Sequence, residues 1–300
     1  MRGFDDPEIF QAVFETAATG MALATPDGRF LRVNQALCRI AARGEEELLA
    51  TTLSEITHPD DRALEERALV RIRSGDTAAQ GERRWLRPDG SIVWVEVQAS
   101  AVGDGPDYML WQVTDVTERR LMEQRLRHLA DHDALTGLFN RRRFEEELER
   151  HVSHARRYRM EGSVLLIDVD HLKAINDSGG HRAGDAVLIA VAEVLRQRLR
   201  QSDVVARFGG DEFAVLLPYA NASDAATVGA AIAAGVRGDV RTPAGPVTIS
   251  VGVGELRPGL RSADEALSVA DAAMYRSKVR GGDGVAPGPA EASGAKRGQV

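Results

Sequence analysis

Apolar positions fall into blocks of different kinds along the chain, and each kind predicts a different element. Val164-Leu165-Leu166-Ile167 is an unbroken apolar run ending in Asp168, the pattern of a central strand covered on both faces. The runs Val204-Val205-Ala206 and Phe213–Leu217 flank Arg207-Phe208-Gly209-Gly210-Asp211-Glu212. Short apolar runs joined through Gly-Gly predict a β-hairpin, the glycines supplying positive φ in the turn, with Asp211 and Glu212 directly after it. Val247–Val253 predicts another strand, and Asp185 to about Arg200 and Ala263–Val279 predict long helices, with a loop at Ser178–Gly184. Nearer the N-terminus, Pro26-Asp27-Gly28 and Pro88-Asp89-Gly90 are turn sequences between strand-like runs. Asn34 predicts the N-cap of a helix from Gln35, and Tyr108–Val113 a further strand. Between these halves a charged segment without Gly or Pro carries Met122, Leu126 and Leu129 at 4-3 spacing, a coiled-coil seam in miniature.

The blocks divide the 300 residues into a mixed segment at 8–117, a helical linker at 118–132, an α/β domain at 133–283 and a tail at 284–300. The tail mixes Gly, Pro, Ala and Ser with little apolar content, which predicts disorder. Composition changes this picture little: 43% hydrophobic and 28% charged residues are ordinary for a soluble protein with a core in each domain. No apolar stretch approaches a membrane span, and the first residues lack the apolar core of a signal peptide. A single cysteine, Cys38, excludes an internal disulfide framework and suits the cytoplasm. The net charge of −7 argues against a nucleic-acid-binding surface.

Candidate chemistry gathers in the second half. A carboxylate at the end of a buried strand, Asp168, with Asp170 beside it and Asp211 and Glu212 at a hairpin, is an arrangement that a divalent cation would neutralise. Glycines at 209 and 210 allow close backbone approach to a phosphate, and Lys173 offers a cation. These are parts for phosphoryl or nucleotidyl transfer; an internal salt-bridge network of Asp168, Lys173 and Asp211 is the plainer alternative. In the first half, Cys38 sits among apolar neighbours as a small hydrophobe. His58, just before Pro-Asp-Asp, reads as a loop cap rather than a haem ligand. Trp85, Trp94 and Trp111, each on an expected strand, read as packing residues.

Residues 8–117 resemble a PAS domain in the order Gly20-Met21-Ala22, Asp27-Gly28, Val33-Asn34, His58-Pro59-Asp60-Asp61, Arg87-Pro88-Asp89-Gly90, Asp115-Val116-Thr117. That resemblance implies a sensory and dimerising sheet-and-helix domain of a kind that in some members holds haem, flavin or a small molecule and in others none, the ligand here being unspecified. The second domain reads Asp133-Ala134-Leu135-Thr136-Gly137-Leu138, then Asp168-Val169-Asp170 through Lys173, Asn176-Asp177, Gly180-His181 and Gly184-Asp185, then Arg207 to Phe213. It resembles the GGDEF family of diguanylate cyclases, which implies an α/β (α+β) fold with a mixed central sheet flanked by helices. The implied reaction joins two GTP into cyclic di-GMP and two pyrophosphates in a homodimer, with Mg²⁺ or Mn²⁺.

Carried over by position, the resemblance implies Asp168, the Val169 carbonyl and Asp211 as metal ligands, and Asp211, Lys173 and Glu212 as catalytic residues. It further implies Asn176, Asp185, His181, Gly209, Gly210 and Lys278 as substrate-binding residues. Asn176 and Asp185 would read guanine, whose N1–H and N2–H₂ a carboxylate accepts and adenine lacks. Arg200 and Asp203 match an inhibitory site for the product. Two positions depart from the family pattern: Leu172 replaces a phenylalanine, and Gly281-Gly282-Asp283 lacks an arginine expected near the phosphates, with Arg280 two residues earlier.

Overall fold

Alternating burial along β-strands builds the first half of the chain. The computed structural model describes residues 7–73, 78–102, 107–158, 160–257, 260 and 262–288, and these fall into two units that divide after Arg125. In the first unit α1 (Pro7–Thr16) precedes the hairpin of β1 (Gly20–Ala24) and β2 (Phe30–Val33). Short helices α2 (Gln35–Ala41), α3 (Glu45–Leu49) and α4 (Leu53–Ile56) and a 3₁₀ turn at Pro59–Asp61 lead to α5 (Arg62–Arg73). A meander follows, of β3 (Ala78–Leu86), β4 (Ile92–Val102) and β5 (Tyr108–Asp115). The antiparallel sheet has the order β2-β1-β5-β4-β3. Val93, Val95, Val97 and Ala99 alternate inward along β4 and meet Trp85, Trp111, Leu37 and Leu53 in the core. Asn34 caps α2 as expected, accepting from Leu37 N–H at 2.9 Å, and the His58 ring nitrogen Nδ1 accepts from Asp60 N–H at 3.3 Å.

The most deeply buried carboxyl of this unit, among the described residues, is Glu65. Glu65 on α5 is 2% exposed, with Arg83 Nε 3.5 Å away, beside a cavity of about 10 Å³ lined also by Trp111, room for at most about one water. Burial pushes its carboxyl up from 4.5 to about 7, against the opposing pull of Arg83. The folded state therefore holds the Glu65 proton more tightly than the unfolded chain does. Its stabilising contribution is complete below pH 4.5 and is lost as pH rises to about 7, a change of about 3 kcal/mol. Glu65→Gln should remove this dependence, leaving stability near that of the wild type at pH 5 and raising it at pH 8. Thermal unfolding followed by tryptophan fluorescence checks this, because all three tryptophans lie in this unit. A variant less stable than the wild type at pH 8 would show that the ionised pair with Arg83 stabilises the fold.

Helix α6 (Thr117–Asp131) starts in the first unit, where Arg120 stacks over Trp94 at 3.8 Å from the ring centroid and pairs with Glu82. Its Met122, Leu126 and Leu129 are exposed.

The second unit holds β6 (Phe139–Asn140), α7 (Arg141–Tyr158), β7 (Gly162–Val169), α8 (Leu172–Gly179), α9 (His181–Arg198), β8 (Val204–Gly209) and β9 (Glu212–Pro218). It continues with α10 (Ala222–Asp239), the small hairpin β10 (Arg241–Thr242) and β11 (Gly245–Pro246), β12 (Ile249–Leu256), α11 (Ala263–Val279) and β13 (Gly284–Pro287). The six-stranded mixed sheet has the order β13-β12-β7-β9-β8-β6. Every residue of β7 is buried, as its unbroken apolar run predicts. One face of the sheet packs on α9 and α10 through Ile167, Val191, Val215 and Ile232; the other packs on α7 and α11 through Phe144, Leu148, Leu166 and Ala270.

Three expectations change. The tail does not begin disordered: Gly284–Pro287 adds a parallel strand to β12, because backbone pairing and the buried Ala286 need little apolar sequence. Residues 289–300 lie outside the described residues. Helix α9 starts at His181, four residues before the expected Asp185, since the chain turns at Gly180 alone. In the hairpin, Gly209 pairs with Glu212, so the two-residue turn is Gly210-Asp211 and Asp211 belongs to the turn rather than the strand. An irregularity between Arg207 and Gly209 shifts the register by the missing residue. Among the described residues no helix is long and apolar enough to cross a membrane.

Candidate active site

The centre of the second sheet delivers two carboxylates to one edge. Asp168 at the end of β7 lies opposite Glu212 of β9 and Ser250 of β12, and is 4% exposed. Val169 N–H donates to the Asp211 carbonyl at 3.0 Å, holding the hairpin turn against the end of β7. Gly209, the last residue of β8, has φ +138° and Gly210, the first of the turn, φ +53°; a Cβ at either would meet nothing, so the backbone rather than space demands glycine.

Arg207 fixes the turn from behind. Its Nε and Nη2 donate to the Gly210 carbonyl at 3.2 and 2.8 Å, while Nη1 reaches Asp133 Oδ1 at 3.2 Å. Asp133 Oδ1 also accepts from Thr136 N–H and Oγ1–H at 2.9 and 2.7 Å. Burial works to raise the Asp133 carboxyl, but Thr136 and Arg207 outweigh it and hold it below its ordinary range. The roles of Asp133 and Arg207 were not foreseen from sequence, although one opposite charge in each of the two motifs is the signal that could have paired them.

Charge is unevenly balanced at the edge. Burial raises the Asp168 carboxyl to about 6, Lys278 opposes this, and the neighbouring Asp211 and Glu212 add to it. Lys278 Nζ comes from the last turn of α11 to 2.7 Å from Asp168 Oδ2. Partial burial works to lower the lysine, but Asp168, Asp211 and Glu212 hold it above its ordinary value. A cavity of about 440 Å³ opens here, lined by Asp168, Val169, Asp211, Lys173, Lys278 and Gly282 among others. The donor set of two carboxylates and a peptide carbonyl suits a hard divalent cation, and the chain itself brings an ammonium to Asp168. Among the described residues no three His, Cys, Asp or Glu side chains converge on one point.

Other expected residues lie apart from this cavity. Asn176 on α8 presses against the buried Gly184 of α9, where any Cβ would collide with its Oδ1, and that oxygen is buried without a hydrogen-bond partner. Asp185, one residue on, and His181 at the start of α9 are exposed. Glu212 is exposed and borders a different cavity of about 300 Å³, between Arg141, Phe208, Asp264 and Asp271, instead of the Asp168 cavity. Arg280, in the C-cap of α11, is not on the wall of the Asp168 cavity. Asp203 caps its own turn, accepting from Arg200 N–H at 2.8 Å, and the pair lies at the far end of β8 from Gly209, about 20 Å along the strand.

Residues 130–284, slightly more than half of the chain, match the family described as diguanylate cyclase, GGDEF domain, and residues 8–116 match the PAS fold. Diguanylate cyclase DgcM of Escherichia coli K12 is 39% identical over 198 residues, covering 64% of this chain and 47% of that protein. Diguanylate cyclase TpbB of Pseudomonas aeruginosa PAO1 is 42% identical over 157 residues, 51% of this chain and 36% of that protein. The chain thus spans less than half the length of these curated relatives. Among solved structures, the coiled coil and GGDEF domain of DgcB from Caulobacter crescentus, in complex with c-di-GMP, superposes with a TM-score of 0.55 at 33% identity, covering 57% of this chain and 93% of that one.

Proposed function

Because the chain belongs to the GGDEF family and carries a PAS fold ahead of that domain, we propose that it is a diguanylate cyclase that joins two GTP into cyclic di-GMP. In each half-reaction the 3′-oxygen of one GTP attacks the α-phosphorus of the other. The bond from that phosphorus to its bridging oxygen breaks, and pyrophosphate leaves; repetition with the roles exchanged closes the ring. The observation that carries this reading is the buried Asp168 beside the Asp211 turn, with Lys278 and Lys173 in the same cavity.

Asp168, the Val169 carbonyl and Asp211 are the residues that would hold Mg²⁺ or Mn²⁺, which when bound neutralises phosphate charge at the reacting centre. Lys278 exchanges Asp168 for the triphosphate, and Lys173 stabilises charge developing on the α-phosphate. Asp211 takes the proton of the attacking hydroxyl. Asn176 and Asp185 read guanine, the exposed Asp185 carboxylate accepting from N1–H and N2–H₂ of the base. Each domain holds one GTP, so two must face each other; the exposed stripe of α6 and the PAS unit supply the dimer, and the PAS unit regulates it. Arg200 and Asp203 bind product as a brake.

The test incubates the full chain with GTP and Mg²⁺ or Mn²⁺ and resolves products by chromatography. Absence of cyclic di-GMP from the wild type and from Arg200→Ala freed of bound nucleotide would refute the activity. Guanine reading has its own check. Gly184→Ala improves helix propensity but drives a Cβ into Asn176. It should weaken binding of a non-hydrolysable GTP analogue about tenfold by displacing the Asn176 side chain, with a modest fall in thermal stability because the new Cβ overpacks the contact between the two helices. Unchanged affinity would remove Asn176 from the base site.

A further inference from the structure

One carboxylate at this edge has a task outside these assignments. Asp170 follows Asp168 by two residues and borders the same cavity. Its Oδ1 accepts from Ser250 Oγ at 2.8 Å, and its Oδ2 from Thr248 Oγ1 at 2.8 Å and from Asp283 N–H at 2.9 Å. Its own N–H donates to the Thr248 carbonyl at 3.0 Å. Three donors occupy most of the accepting capacity of a carboxylate, which leaves Asp170 poorly suited to ligate a cation as well.

The third donor belongs to the loop after α11, where the family arginine is absent. Gly282 has φ +72°, and a Cβ there would lie 2.8 Å from Asp170 Oδ2 and 3.0 Å from Oδ1. The loop is tied further by Gly282 N–H to the Ser277 carbonyl at 3.1 Å and by Arg237 Nε, 3.3 Å from Asp283 Oδ1. Lys278 sits four residues before Gly282, and Gly281 and Gly282 line the cavity with it. Anything that frees this loop therefore frees the wall facing Lys173 and the end of the helix that aims Lys278.

We propose that Asp170 is a positioning residue that latches the Gly281–Asp283 loop over the triphosphate end of the cavity, and that Gly282 is the space the latch requires. This rests on the GTP reading above. It also accounts for glycine at 282: in this conformation a side chain there displaces the carboxylate that holds the loop. The latch acts on the phosphates and leaves the base contacts at Asn176 and Asp185 alone.

The experiment measures binding of guanosine 5′-(β,γ-imido)triphosphate and of GMP, with Mg²⁺, to the full-length wild type, Asp170→Ala, Gly282→Ala and the double variant. Each single change should weaken the triphosphate analogue about tenfold while GMP affinity stays within about twofold. The double variant should also lose only about tenfold, because both changes break one latch. Ser250→Ala, which removes one donor, gives a smaller loss of the same kind and serves if Asp170→Ala fails to fold. An additive, hundredfold loss in the double variant, an equal loss for GMP, or unchanged analogue binding would each overturn the latch. A wild type that binds neither nucleotide refutes instead the GTP reading on which it rests.

Discussion

Asp211→Asn is expected to lower the rate of cyclic di-GMP formation by about a thousandfold or more while leaving the fold intact. Two effects combine in the loss. The amide cannot take the proton of the attacking 3′-hydroxyl, an effect of about 10²–10⁴. It also removes the negative charge that Asp211 would offer a divalent cation, leaving only a neutral amide oxygen, and electrostatic contributions of this kind are worth about 10²–10³. Stability should not fall, because the charge of Asp211 works against that of the buried Asp168. The hairpin contact at this residue is made by its backbone carbonyl to Val169 N–H, which the substitution leaves in place. Time courses of product by chromatography, together with melting temperatures, check both halves of the statement. A variant retaining more than about a tenth of the wild-type rate would remove Asp211 from catalysis.

That prediction could be framed from sequence alone, but its geometry could not. The strand to Asp168 was legible because an unbroken apolar run leaves only the terminal carboxylate unexplained. The hairpin was legible as a hairpin, yet Gly-Gly does not fix which two residues occupy the turn; the irregularity at Arg207–Gly209 decides that, and places Asp211 in it. Contacts between distant segments were not legible. Arg207 reaches Asp133 across 74 positions, Asp283 N–H reaches Asp170 across 113, and no local propensity records either pairing. The dispersal of the expected site also needed coordinates: Glu212 turns toward the Arg141 side and Asn176 toward Gly184, while Asp168, Asp211, Lys173 and Lys278 share one cavity.

Leu126→Glu combined with Leu129→Glu should make cyclization depend on protein concentration. These side chains are 66% and 68% exposed on α6 and, with Met122, lie within a narrow arc of the helix. Charge there costs the monomer almost nothing, so the melting temperature should stay within about a degree or two of the wild type. A facing pair of like charges across a two-fold seam opposes association directly. In the proposed reaction each domain holds one GTP, so product is then expected only from encounters between chains. At nanomolar protein the specific activity should fall about a hundredfold, and it should climb in proportion to protein concentration where the wild type is level. Leu121→Glu, about 100° round the helix from Met122 and off the stripe, should leave activity close to the wild type. Sedimentation on the same samples ties the loss to dissociation. If the double variant stays active and its specific activity is independent of concentration, α6 is not the seam, and the two half-sites are brought together by another surface.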